Sequence, residues 1–467
     1  MSKPCVACIL SIACIGLVFS AAAFAADPPK STSVAEEDLL TPTEILGRCG
    51  DTLPPLNYTI KKDEIVTSDT DPTKKLRRIE VQFYTSVLEG RRWGHPSVIF
   101  MPANPKDYLA KERRGKVVIV AQRNWDGLAT GPWRDAFLGN YGEPIAATTG
   151  YPTMVCPIPG EYDNTNQREI SIGFLHNLYR KTQNPADTAT VRQAVPYLYA
   201  MDVMADVLKV DKRDIRAVIG GHSKRVAAYM AAAMDPQRVV GVVYMGNESN
   251  WDHYPKSRSP LRALQPPHTK KWVTADVLYI GATNEDGYEM FSIRRMQAMM
   301  DGKWTIEYIP NYRHGSMSEK HFIDWRMWVA HCFEGRPITK ITDLSREDKG
   351  PEFVWGGRQY GAGGGTLFRC KLDTPNKIIQ AKVWYVYCDD VPYWRDLMWY
   401  PEFMVPQPDG TWAGYVKGKL PDAWLVEVKD TAGGYPGYVT SLPQDITGKE
   451  TKNRHSRGSR SRNWEPK

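Results

Sequence analysis

Apolar and polar positions follow two different rhythms along this chain. Short continuous runs rich in Val and Ile recur at residues 117–121, 153–157, 215–219, 239–245, 277–280 and 304–309, as expected of strands buried on both faces of a parallel sheet. Two earlier runs, 79–87 and 96–101, also read as strands. Between the later runs lie segments of helical period at 191–208, 290–300 and 321–333, and a small-residue helix at 226–234. Strand and helix alternating in this way predict an α/β fold, a doubly wound and mostly parallel sheet with its site at the carboxyl ends of the strands.

The rhythm changes after about residue 336. Helical periodicity fades, Gly, Pro and aromatic residues become frequent, and short runs appear at 366–371, 378–388, 412–416 and 424–428. A β-sandwich-like domain is expected over 343–446, after an α/β domain at 51–338. Residues 361–365, Gly-Ala-Gly-Gly-Gly, are not followed by Gly-Lys-Ser/Thr and so are no phosphate-binding loop.

The chain has 467 residues, more than one hydrophobic core usually supports, which agrees with two folded units and tails. Lys3 precedes a short apolar stretch ending in Ala23-Phe24-Ala25. Residues 1–25 therefore read as a signal peptide, too short for a membrane span, and the protein is expected to be exported, periplasmic or secreted. Residues 26–50 are expected to form a flexible arm. The net charge of +7 is concentrated in residues 449–467, where seven basic and two acidic side chains give +5. With Lys3 counted, the remaining chain carries about +1. The body is thus nearly neutral, the basic end reads as a disordered tail, and no nucleic-acid partner is expected. Five of the eight cysteines lie beyond the signal, with no C-x-x-C spacing that would hold zinc, and Cys370–Cys388 is the expected bridge.

The chemistry concentrates at Gly221-His222-Ser223-Lys224-Arg225, between a predicted strand and a predicted helix. A serine hydroxyl is a weak nucleophile until a base removes its proton and an acid orients that base. A strand-to-helix elbow exposes such a serine and aims the following N–H at the developing oxyanion. Ser223 is the candidate nucleophile, and the Lys224 N–H the first oxyanion donor. Of the histidines downstream, only His314 stands in a loop just past a predicted strand, which makes it the candidate base; His321 and His331 fall in the next helix. The acid comes from the loop after 277–280: Glu285, with Asp286 as the alternative. The loop after 117–121 supplies Arg123 or Asn124 as the second oxyanion donor, while Trp125, Trp133 and the 247–251 segment are candidate pocket walls.

These segments resemble the PhoPQ-activated pathogenicity-related family of exported α/β-hydrolase-like proteins. Gly221 to Arg225 is similar to an elbow reading G-A-S-K-R-G-W, and Asp235-Pro236-Gln237-Arg238-Val239 follows as in the family. Ala282-Thr283-Asn284-Glu285 resembles its G-T-N-D acid loop, and Arg313-His314-Gly315-Ser316 its late G-H-S-like segment. Arg395-Asp396-Leu397-Met398-Trp399 is similar to its R-D-F-R motif before a tryptophan. Val226 and Ala227 stand where the family has Gly and Trp, and Glu285 where it has Asp. The resemblance implies the hydrolase fold and the triad.

The expected function is a serine hydrolase acting on a small-molecule or carbohydrate ester through an acyl-enzyme, with peptide bonds open to the same machinery. This chemistry requires no metal or organic cofactor. The alternative is a non-catalytic envelope or extracellular binding protein that keeps the fold.

Overall fold

The computed structural model describes residues 38–122, 141–158, 160–162, 172–222, 225–247, 260–285, 292–313, 318–349, 353–355, 358–360, 364–388 and 397–445. The expected signal (1–25) and basic tail (449–467) lie outside the described residues. The arm expected over 26–50 is corrected at its end. Thr41 and Glu44 form a capping box that starts a helix at Pro42–Gly47, and Ile45 and Cys49 are buried. Proline at the helix start and two apolar anchors make this stretch part of the fold.

Ten strands form the main sheet: β1 (Tyr58–Thr67), β2 (Lys75–Leu88), β3 (Arg91–Pro102), β4 (Lys116–Gln122), β5 (Thr153–Pro157), β6 (Glu161–Tyr162), β7 (Arg216–His222), β8 (Val239–Met245), β9 (Asp276–Ala282) and β10 (Thr305–Ile309). Their order is β1-β2-β3-β5-β4-β7-β8-β9-β10, with β6 paired to β3. The first three form an antiparallel meander, β3 joins β5 antiparallel, and from β5 to β10 every pairing is parallel. After β4 the chain moves to one side for β5, then crosses back to the other side for β7. The carboxyl ends of β4 and β7 therefore flank a topological switch point, where an open α/β sheet leaves a crevice.

Successive strand residues serve opposite faces. Val117, Ile119, Ala121, Ala217, Ile219, Val242 and Tyr244 face α3 (Ala189–Leu208) and α4 (Arg225–Met234), whereas Val118, Val120, Val218 and Val243 face α1 (Glu143–Thr149) and α6 (Glu319–Glu334). A further helix, α2 (Ile172–Thr182), packs Leu175 and Leu178 on Leu88 and Trp93, and α5 (Ser292–Met299) packs Ile293 and Met296 into the first face. Ile119, Val218 and Ile219 are fully buried; each such side chain contributes roughly 1.5–3 kcal/mol.

The C-terminal region is antiparallel throughout. One sheet runs β11 (Lys340–Lys349), β14 (Gly365–Asp373), β18 (Trp412–Lys417), β17 (Val405–Pro406), beside a small hairpin of β12 (Phe353–Trp355) and β13 (Arg358–Tyr360). The other runs β16 (Tyr400–Phe403), β15 (Lys377–Val386), β19 (Ala423–Ala432), β20 (Tyr435–Thr440), with β21 (Gln444–Asp445) paired to β19. Phe368, Cys370 and Val416 of the first meet Val383, Trp424, Val426 and Val428 of the second in a sandwich core. The second sheet is also buried on its other side, where Val386, Ala423 and Leu425 join the main α/β core. That double burial explains why residues 423–428 of β19 read as a nearly unbroken apolar run. The exception within it, Glu427, pairs with Lys320 of α6.

The two regions are joined by buried polar contacts as well. Tyr308 on edge strand β10 donates its N–H to Thr440 Oγ1 (2.9 Å), and Tyr438 donates its N–H to Asp324 Oδ1 (2.8 Å). Arg336, just past α6, pairs with Asp430, whose second oxygen accepts from Thr339 and from Asn376 Nδ2 (2.7 Å). Covering β10 in this way closes an edge that would otherwise invite pairing with another chain.

The expected Cys370–Cys388 bridge is not formed: both residues are buried, as are Cys49 and Cys156, and Cys332 is half-buried. Cys370 lies on β14 inside the sandwich core, whereas Cys388 follows β15 of the opposite sheet and donates its N–H to Asp422. Adjacency of strand-like runs in the sequence did not translate into adjacency in space. Among the described residues, no helix is long and apolar enough to cross a membrane.

Candidate active site

The elbow is built by packing at Gly221. It pairs with Ala121 across β4 and β7, and a Cβ there would fall on the Ala121 carbonyl. Gly220 meets the same limit against the Val243 carbonyl on the other side. Two glycines thus let β7 lie close to both neighbours at the switch point. Strand β7 ends at His222, which is buried, and α4 starts at Arg225. Ser223 and Lys224 stand between them in the sequence and lie outside the described residues. The same holds for Arg123, Asn124, Trp125 and Trp133, which follow β4, and for Asp286, His314 and Trp251. Val226, the departure from the family pattern, packs half-buried against the main core.

Of the expected triad, Glu285 is described. It lies three residues beyond β9 and is buried at 6% exposure. Its loop is held by bonds that sequence inspection had not singled out. Asn247, fully buried past the end of β8, donates to the Ala282 carbonyl and accepts from the Ala282 N–H, both at 2.9 Å. An amide side chain thereby continues the β8–β9 ladder one step beyond the strands.

The loop carrying Glu285 is also tied to the loop leading to His314. Thr283 N–H donates to the Ile309 carbonyl (3.2 Å), Asn284 N–H to the Tyr312 carbonyl (3.1 Å), and Asn311 N–H to Thr283 Oγ1 (2.9 Å). Asn311 has a positive φ of 56°, a conformation in which Asn is several-fold enriched. An Asn just past a predicted strand was the signal in the sequence.

Other ionisable groups can be sorted by environment. His95 sits in the sheet between Thr85 Oγ1 and the Pro157 carbonyl, each at 2.8 Å, and burial pushes it down to about 4. His321, packed on Tyr312 and bonded to Ser318 Oγ at 2.6 Å, is pushed down to about 3 by burial and by Lys320. Neither accepts a proton near neutral pH. Burial raises the thiols of Cys49, Cys156, Cys332 and Cys370, with Cys156 and Cys370 pushed up to about 12. None of these four is a ready thiolate nucleophile.

Strand order, switch point and strand-to-helix elbow together define an α/β-hydrolase fold, with an antiparallel β region attached. No family model matches the chain, and no curated protein matches it. Among solved structures it is similar to acetyl xylan esterase 1 from Thermoanaerobacterium sp. (14% identity, 62% of this chain and 92% of that one, TM-score 0.39). It is also similar to an acetyl xylan esterase from Paenibacillus sp. R4 (12% identity, 58% and 87%, TM-score 0.39) and to Est1E from Butyrivibrio proteoclasticus (12% identity, 55% and 98%, TM-score 0.34). The fold class rests on the strand order itself.

Proposed function

We propose that the chain is an exported serine hydrolase that cleaves a carboxylic ester, with a small molecule or an esterified carbohydrate as substrate. The observation that carries this reading is the convergence of three segments at the carboxyl edge of the sheet. Ser223 follows β7 at the switch point, Glu285 follows β9, and the loop leading to His314 is hydrogen-bonded to the loop of Glu285. The likeness of these segments to the PhoPQ-activated pathogenicity-related proteins supports the same assignment, as does the signal-like start at residues 1–25.

In the proposed cycle His314 takes the proton of Ser223 as Oγ attacks the ester carbonyl. The oxyanion is held by the Lys224 N–H and by an N–H from the Arg123-Asn124 segment after β4, the strand paired to β7. Glu285, shielded from water, orients His314 and stabilises its imidazolium; Asp286 is the alternative. His314 then protonates the departing alkoxide, and water, activated by the same histidine, releases the acid. Trp125 serves as a pocket wall.

Labelling of the purified protein with a fluorophosphonate tests the reading. Labelling of the wild type that disappears in both Ser223→Ala and His314→Ala is the expected result, followed by turnover of acetyl esters. A folded wild type that does not label overturns the proposal and leaves a binding protein on a hydrolase fold.

A further inference from the structure

The Leu397-Met398-Trp399 segment, part of the motif noted in the sequence, belongs to the β region and crosses both loops of the candidate site. Asn284 donates its Nδ2–H to the Leu397 carbonyl at 2.7 Å. Asn311 pairs with the Trp399 backbone in both directions, donating Nδ2–H to its carbonyl and accepting its N–H, each at 2.8 Å. The side-chain amide of Asn311 thus acts as a peptide group would in a ladder. Leu397 and Trp399 point into the main core, Trp399 at 1% exposure, while Met398 between them is 59% exposed. An extended segment, anchored by a buried indole, is stitched to the loop of the acid and to the loop of the base.

We propose that residues 397–399 form a strap that sets the spacing of these two loops, so that the C-terminal β region is a working part of the hydrolytic site, with Asn284 and Asn311 as its positioning residues. This rests on the triad reading above. Among the described residues, three backbone-donated bonds join the two loops directly. The strap adds three bonds to those that join the two loops directly, and displacement of a reacting group by about 1 Å costs up to ~100-fold in rate. The strap lies 113 residues beyond Asn284 and 88 beyond Asn311 in the chain, so the spacing is set by how the β region docks.

The test uses the full mature protein and three variants. Asn311→Gly keeps the positive φ without strain and deletes both bonds to Trp399; Asn284→Ala deletes the bond to Leu397. Thr440→Val removes a different contact between the regions, the acceptor of the Tyr308 N–H, and serves as the control. Two quantities are read: hydrogen exchange at Thr283, Asn284, Asn311 and Trp399, and the rate and pH dependence of fluorophosphonate labelling. Asn311→Gly and Asn284→Ala should raise exchange at these amides about tenfold or more. They should also slow labelling by about tenfold to a hundredfold. Retreat of a carboxylate lowers the pKa of its histidine, so the acid limb of the labelling profile should move to lower pH. Thr440→Val should change neither the exchange at these amides nor the acid limb. Unchanged exchange in Asn311→Gly overturns the strap whatever the chemistry. Raised exchange with wild-type labelling overturns its positioning role, as does an equal loss in Thr440→Val. Raised exchange in a protein whose wild type never labels overturns the triad reading, and the positioning role with it.

Discussion

Substitution of Asp324 by Asn should stabilise the protein, and increasingly so as the pH rises. Asp324 lies on α6 where the α/β core meets β19 and β20, and it is fully buried. Its Oδ1 accepts the Tyr438 N–H, while Oδ2 has no hydrogen-bond partner. Around it stand Lys320 on α6, Arg336 beyond it, Glu427 on β19 and Glu307 on β10. Lys320 pairs with Glu427 and sits 3.6 Å from Glu307, so one ammonium is shared by two carboxyls beside Asp324. Burial pushes Asp324 up to about 8, against the favourable pull of the Tyr438 amide, Lys320 and Arg336. The folded protein therefore keeps Asp324 protonated at neutral pH, whereas the unfolded chain ionises it.

A carboxyl raised on folding contributes full stability below its unfolded pKa and loses it as the pH climbs toward its folded pKa. Starting from the ordinary aspartate value of 3.8 in the unfolded chain, the loss accumulates at ~1.4 kcal/mol per pH unit and reaches about 4 kcal/mol at pH 7. Asparagine keeps the shape and the acceptor for Tyr438 but does not titrate. Urea unfolding followed by tryptophan fluorescence at pH 4, 5.5, 7 and 8.5 measures the gap between Asp324→Asn and the wild type. It should be near zero at pH 4, about 4 kcal/mol at pH 7, and level beyond pH 8. A gap independent of pH, or a variant less stable than the wild type at pH 7, would refute a protonated Asp324.

Two other perturbations follow from the same contacts. Gly221→Ala forces a methyl onto the Ala121 carbonyl, which no side-chain rotation relieves; a loss of about 1–3 kcal/mol and slower fluorophosphonate labelling are expected, and an unchanged melting temperature would contradict the close approach of β4 and β7. Asp430→Ala leaves Arg336 buried without its carboxylate, along with the donors of Thr339 and Asn376; chemical denaturation should show a loss of about 3–5 kcal/mol, and a change below about 1 kcal/mol would show that the pair is not closed in solution.

Local pattern carried much of this protein. Val- and Ile-rich runs marked the parallel strands because a strand buried on both faces has no polar side to interrupt it, as at 117–121 and 239–245. The small-residue helix after Gly221 was equally legible, since it is a contiguous feature at a strand end. β1, with its Lys-Lys-Asp-Glu stretch, was not anticipated, because an exposed edge strand need not alternate. Neither was α2, whose few buried residues are satisfied by Leu88 and Trp93 from distant strands.

Tertiary structure alone decided what meets across long separations. It kept Cys370 and Cys388 apart, drew Lys320, Glu307, Asp324 and Glu427 into one buried cluster, and laid residues 397–399 over the loops after β9 and β10. Hydrophobic periodicity reports which face of an element is buried, but it is silent on which other element buries it. That choice is made by the docking of whole layers, and here the docking determines how the loops after β9 and β10 are held.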